Sequence, residues 1–118
     1  MRTYEQKMAE RAFQCVKTRI EGAKKDEYSS FAMSFPALIH SCGLAQAVSF
    51  AEAKDRDYYL EDLNEVLNAF AAKENKVELS RESREADLVD YMRLSRRAVT
   101  AASWLKRYVE ALYEKEIN

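Results

Sequence analysis

The chain has 118 residues, 19 Lys+Arg against 20 Asp+Glu, and only 2 Gly and 1 Pro. A domain of this size buries a core without disulfides or metals, and so few turn-forming residues exclude a fold of many short strands. Ala, Leu, Glu, Lys and Arg dominate while Val and Ile are scattered. Composition therefore predicts an all-α, compact single-domain bundle over residues 1–118, of five to six helices with a long C-terminal one.

The first helix is predicted over residues 2–22. Tyr4, Met8, Ala12, Val16 and Ile20 recur at steps of four, Ala9 and Phe13 widen the stripe, and Gly22 stops it. The polar loop beyond holds Lys24 and Lys25, near a helix C-terminus whose dipole favours cations; contact with an external anion is their sharper role. The N-terminal residues are charged and amphipathic with no apolar h-region, which argues against a signal peptide. Cys15 and Cys42 have no metal-type spacing and sit among helix-forming apolar residues. They read as inert thiols of a reducing cytoplasm.

Residues 28–51 contain no Asp, Glu, Lys or Arg. Five serines, Pro36, His40, Gly43 and Gln46 interrupt the stretch, so a buried helical hairpin is expected rather than a bilayer span. Ser34 is placed to cap a helix with Pro36 in its first turn, the segment before it being a separate turn or the first part of a kinked helix. Gly43 stops this helix, and Leu44 begins another that reaches about Lys54. Lacking a charged face, both helices are expected to be enclosed by other helices or by a partner. The lone histidine, His40, is expected in the core or at an interface.

Residues 55–57 (Asp-Arg-Asp) cap a fourth helix predicted from Tyr58 to Ala72, with Leu60, Leu63, Leu67 and Phe70 inward and Tyr59 and Val66 beside them. Tyr58 and Tyr59 read as core-edge residues with wet hydroxyls. Val77 and Leu79 tuck back from the next loop. Ser80 or Ser83 then opens the last helix. Its positions Tyr91, Leu94, Ala98, Ala101, Leu105, Tyr108 and Leu112 alternate steps of three and four, a heptad-like seam whose alanines admit a close neighbour.

Charge concentrates on this helix. Residues 91–109 carry five of the cations and no acid, so the rest of the chain is left with 14 cations against 20 acids. Arg93, Arg96, Thr100, Ser103 and Arg107 lie opposite the seam, with Arg97 and Lys106 on its flanks. Arg93 and Arg107 stand roughly 21 Å apart at 1.5 Å per residue. Trp104 sits beside this face, where it packs between helices or stacks on a base. Such a face in a near-neutral protein suits a polyanion; the bland alternative is solubility, or pairing with neighbouring acids.

Catalytic groups are missing. His40 cannot join a Glu-x-x-His pair, because Ala37 stands three residues before it. Two glycines cannot build a phosphate-binding loop or a nucleophile elbow. The acid pairs Glu61–Glu65 and Glu82–Glu85 read as solvated helix faces meeting nearby cations. The residues point to a binding or scaffolding protein without catalytic site, metal or cofactor.

Two segments together carry a resemblance. Residues 28–54 show Tyr-x-Ser, then Pro36-Ala37-Leu38-Ile39, Gly43-Leu44 with Gln46, Phe50 and Lys54; residues 91–112 centre on Trp104-Leu105-Lys106-Arg107. In order and spacing they resemble the small α-helical subunit of the type III-B CRISPR RNA-targeting complex, the Cmr complex. Ser29 and Cys42 depart from the glycine and asparagine often found there, at caps and turns. The resemblance implies a non-catalytic cytoplasmic subunit, copies of which stack as an inner filament. Its partners would be the backbone subunits, the large polymerase-like subunit and guide and target RNA, with no membrane and no small-molecule substrate. It directs attention to Arg93, Arg96 and Arg107, then to Arg97 and Lys106, with Lys24, Lys25 and Lys54 as weaker additions. A helical adaptor that assembles proteins without touching RNA is the rival reading.

Overall fold

The computed structural model describes residues 2–71 and 75–117, with side chains through residue 113. Its helices are α1 (Tyr4–Ile20), α2 (Lys25–Cys42), α3 (Leu44–Ala53), α4 (Asp57–Leu67), α5 (Leu79–Glu85) and α6 (Leu88–Ile117). Among the described residues there is no strand, and no helix is long and apolar enough to cross a membrane.

α6 is the axis of the molecule. Its seam residues Leu94, Ala98, Ala101 and Leu105 are buried, as are Ala102 and Val109, while Tyr91, Tyr108 and Leu112 are half-buried. α1 and α2 form its largest interfaces, and the fully enclosed alanines sit where a larger side chain would hold the neighbouring helices apart. α1 runs parallel to α6, with Glu5 beside Thr100 and Phe13 against Tyr108. α2 runs antiparallel: the Tyr113 hydroxyl donates to Asp26 at its start, and the Tyr91 hydroxyl accepts from the Ala45 amide just past its end. Phe35, Tyr59, Leu63 and Leu67 complete the core from α2 and α4.

Local signals set several boundaries. Thr3 and Gln6 form a reciprocal capping box at α1. Gly43, at φ 86° and ψ 162°, makes the corner between α2 and α3, a backbone that a Cβ would strain. Val77 is half-buried and Leu79 buried, as their apolar character requires.

Other expectations fail for identifiable reasons. α2 runs unbroken through Pro36, so Ser34 is not a cap; its hydroxyl donates to the Phe31 carbonyl within the helix. The proline forfeits one hydrogen bond, while Tyr28, Phe31, Ala32, Phe35 and Ile39 bury one face across both halves. Lys25 accordingly opens α2 rather than lying in a loop. α4 ends at Leu67, capped by Asn68 and leaving Phe70 half-buried beyond it; the predicted end, Ala72, lies outside the described residues. No side chain of Asp55, Arg56 or Asp57 caps α4. Neither Ser80 nor Ser83 opens α6. Glu78 caps the separate helix α5 by accepting from the Arg81 amide, and Ala86, extended at ψ 143°, breaks the chain before α6. α2 keeps an open face of Ser30, Met33, Ser34, Ala37, His40 and Ser41, so His40 is exposed rather than in the core. Tyr58 is half-buried and donates to Glu27, whereas Tyr59 is fully enclosed with a hydroxyl that finds no partner among the described residues.

Candidate nucleic-acid interface

The candidate surface is the outer face of α6. Because the seam is held inward by α1 and α2, the positions opposite it must face water: Arg93, Arg96, Thr100, Ser103 and Arg107 are all exposed. None of the three arginines forms an ion pair among the described residues. No acid falls within residues 91–109; the nearest acids of α6 are Asp90 and Glu110, each three residues outside Arg93 and Arg107. The result is a row of cations at helical spacing that can meet phosphates without reading bases.

The flanking cations divide. Lys106 is half-buried. Arg97 is committed to the fold: its Nη2 donates to the Leu67 carbonyl at 3.1 Å, and its guanidinium lies 5.3 Å from the Phe70 ring centroid. It ties α6 to the end of α4, and little of it remains for a ligand. Lys24 leans over Tyr58 at 5.4 Å, and Lys54 leans over Phe50 at 5.5 Å. Arg93, Arg96 and Arg107 share one exposed face of α6, whereas Lys24, Lys25 and Lys54 belong to other segments.

Three arginines elsewhere pair with acids of other helices. Arg19 grips Asp62 with two hydrogen bonds, Nε to Oδ2 at 2.9 Å and Nη2 to Oδ1 at 3.2 Å, and also reaches Glu61. Arg11 pairs with Glu65, and Arg56 with Glu27. The acids of Glu61–Glu65 therefore meet cations as expected, and Glu82 meets Arg81.

Cys15, Asp62 and Glu65 hold ligand-type atoms within 4.8 Å of one another. Yet each carboxylate is already taken by an arginine. Burial, reinforced by Asp62 and Glu65, pushes the Cys15 thiol up to about 12, so it stays protonated at neutral pH. A metal would have to displace two ion pairs and a proton. The cluster is a structural network between α1 and α4.

Two features escaped the sequence. Leu88, Val89 and Met92 are 72%, 57% and 49% exposed at the start of α6, an apolar patch outside the seam. Glu5 of α1 stands beside the middle of the α6 row, beyond the reach of any local pattern.

The comparisons with known proteins agree with this architecture. The family model described as CRISPR-associated protein (Cas_Cmr5) matches residues 4–112. The chain belongs to the Cmr5 family. It is 32% identical over 115 residues to the CRISPR system Cmr subunit Cmr5 of Thermus thermophilus, a match spanning 98% of this chain and 100% of that protein. The crystal structure of a CRISPR-associated Cmr5 family protein from Thermus thermophilus superposes with a TM-score of 0.82 at 34% identity, covering 95% of this chain and 98% of the other. The Cmr5 family match takes in α1 through most of α6, so both resembling segments and the arginine row fall within it.

Proposed function

We propose that the chain is a non-catalytic small subunit of a Cmr CRISPR complex, in which copies stack as an inner filament and the outer face of α6 grips RNA backbone. Its partners are the backbone subunits, the large polymerase-like subunit, further copies of itself, and guide and target RNA. The observation that carries this reading is the exposed line of Arg93, Arg96 and Arg107 in a helix stretch without acids, on a member of the Cmr5 family. Phosphate contacts supply affinity without sequence information. A guide-directed assembly needs such a grip, because base pairing does the reading. The protonated, buried Cys15 suits the cytoplasm in which such a complex works.

Charge reversal at Arg93, Arg96 and Arg107 tests it in the assembled complex. For every phosphate deprived of its arginine, the salt slope of target-RNA binding should fall by about 0.7 if the strand is single and about 0.9 if it is duplex. Full assembly with unchanged RNA affinity and unchanged slope would refute RNA contact by this face.

One observation favours the rival adaptor reading: the exposed Leu88–Val89–Met92 patch, an uncompensated apolar surface of the kind that docks proteins. Under that reading, serine at these positions abolishes assembly while reversal of the arginines changes nothing.

A further inference from the structure

The exposed face of α6 is grooved midway along. Val99, Thr100, Ser103, Trp104 and Arg107 line a cleft of about 320 Å³ whose opposite wall is Glu5, in the first turn of α1. The cleft is at the low end of the roughly 300–1,000 Å³ range of small-ligand sites. Trp104 is half-buried and stacks on Tyr108, with centroids 6.0 Å apart and planes inclined by 19°. Tyr108 is in turn braced edge-on by Phe13 at 5.6 Å. The indole is therefore held in place by packing. Among the described residues, no protein acceptor takes its N–H. Arg107 lines one end of the cleft and Arg96 lies beyond the other, roughly 16 Å away along the helix.

We infer that this groove holds one unpaired nucleobase, stacked on Trp104, of an RNA strand whose phosphates lie on the arginines to either side. The inference rests on the RNA contact proposed above and assigns the middle of that surface. Glu5 sets the preference for base over phosphate. A carboxylate at the wall repels a phosphate but accepts from a base N–H. The Thr100 hydroxyl donates to the Arg96 carbonyl at 3.1 Å, leaving its oxygen to accept, and the exposed Ser103 hydroxyl serves as donor or acceptor. Stacking on an aromatic ring tolerates every base, in keeping with a surface that does not read sequence.

Trp104 is the sole tryptophan of the chain, so its fluorescence reports on the groove alone. The full chain is titrated at low salt with a short fluorescein-labelled single-stranded RNA, following anisotropy and tryptophan emission together. Emission should fall with the same midpoint as the anisotropy rise, whereas an abasic ribose-phosphate oligomer of equal length should compete for binding without quenching. Trp104→Phe should hold affinity within a few fold. Trp104→Ala should weaken it by about fivefold to 150-fold, the range that removal of one stacked base brings. Ser103→Leu fills the groove from an exposed position, so it should bind as weakly as Trp104→Ala while melting like the parent. Anisotropy rising without quenching, or Ser103→Leu binding like the parent, would overturn the groove and leave the arginine row standing. No anisotropy change with any RNA at low salt would remove both.

Discussion

Arg19 and Asp62 offer a test of how this fold is held. Asp62 is 4% exposed, walled by the fully buried Tyr28 and Tyr59, while the Arg19 side chain remains 30% exposed. The two are joined at 2.9 and 3.2 Å, and Arg19 donates a further bond to the Tyr58 carbonyl at 3.2 Å. The pair is asymmetric. Replacing Arg19 by Met strands a carboxylate in the interior and should cost about 3–5 kcal/mol. Replacing Asp62 by Leu leaves a guanidinium that can swing to water and fills the site with carbon, which should cost about 1 kcal/mol or less. A domain of this length has about 5–15 kcal/mol in total, so the first change is a large fraction and the second a small one. Urea denaturation followed by circular dichroism gives both numbers, provided the slope m is unchanged. The double variant Arg19→Met/Asp62→Leu should recover most of the loss, a coupling of about 2 kcal/mol or more. Equal costs for the two single variants, or strict additivity in the double, would refute the argument.

Asn68 is buried and makes three side-chain bonds, to the Asn64 carbonyl at 2.9 Å and to both the amide and carbonyl of Val77 at 2.8 Å. Asn68→Ala should cost about 2–3 kcal/mol and speed hydrogen exchange at the Val77 amide. Alkali should unfold the protein cooperatively. Burial pushes Cys15 up to about 12, and burial with the Glu27 hydrogen bond does the same for Tyr58; Tyr28 and Tyr59 are raised further by burial and Asp62. The unfolded chain ionises first, from about 8.5 for the thiol and about 10 for the phenols. Stability is therefore full below about pH 8.5, and each group then removes about 1.4 kcal/mol per pH unit until its folded value is reached. Tyrosinate absorbance and circular dichroism should change together; smooth titration of all seven tyrosines ahead of unfolding would contradict this. Iodoacetamide should label the half-buried Cys42 first and Cys15 only on unfolding, as peptide mass mapping would record.

Much of this was readable from spacing. The three-four alternation from Leu94 to Leu105 marked the buried side of α6, and with it the arginines that had to be outside. Gly43 marked a corner because few other residues adopt its backbone. At Pro36 the separate-turn reading and the Ser34 cap failed, because burial along the helix outweighs the proline's local cost, and the continuous-helix alternative stood. The break at Ala86 carries no glycine or proline; the local signal was Asp87, whose carboxylate accepts from the Asp90 amide as the cap of α6. Arg93 and Arg97 are one turn apart and chemically identical, yet among the described residues Arg93 has no partner while Arg97 is bound to Leu67 and Phe70. Only the position of the α4 terminus distinguishes them. Glu5 reaches the α6 groove from some ninety-four residues away, a neighbour that no window along the chain contains.

The parallel pairing of α1 with α6 also bears on how the chain is made. Their contacts join segments separated by nearly seventy residues, and α2 leans on the same helix. Synthesis delivers α1 long before α6, so Met8, Ala12 and Val16 must wait on the nascent chain with no lasting cover. Closure of so long a loop precedes the reward of burial. A shortened chain ending at Glu85 would keep its helix propensity but lose its central post, leaving one side of α1 and α2 open to aggregation.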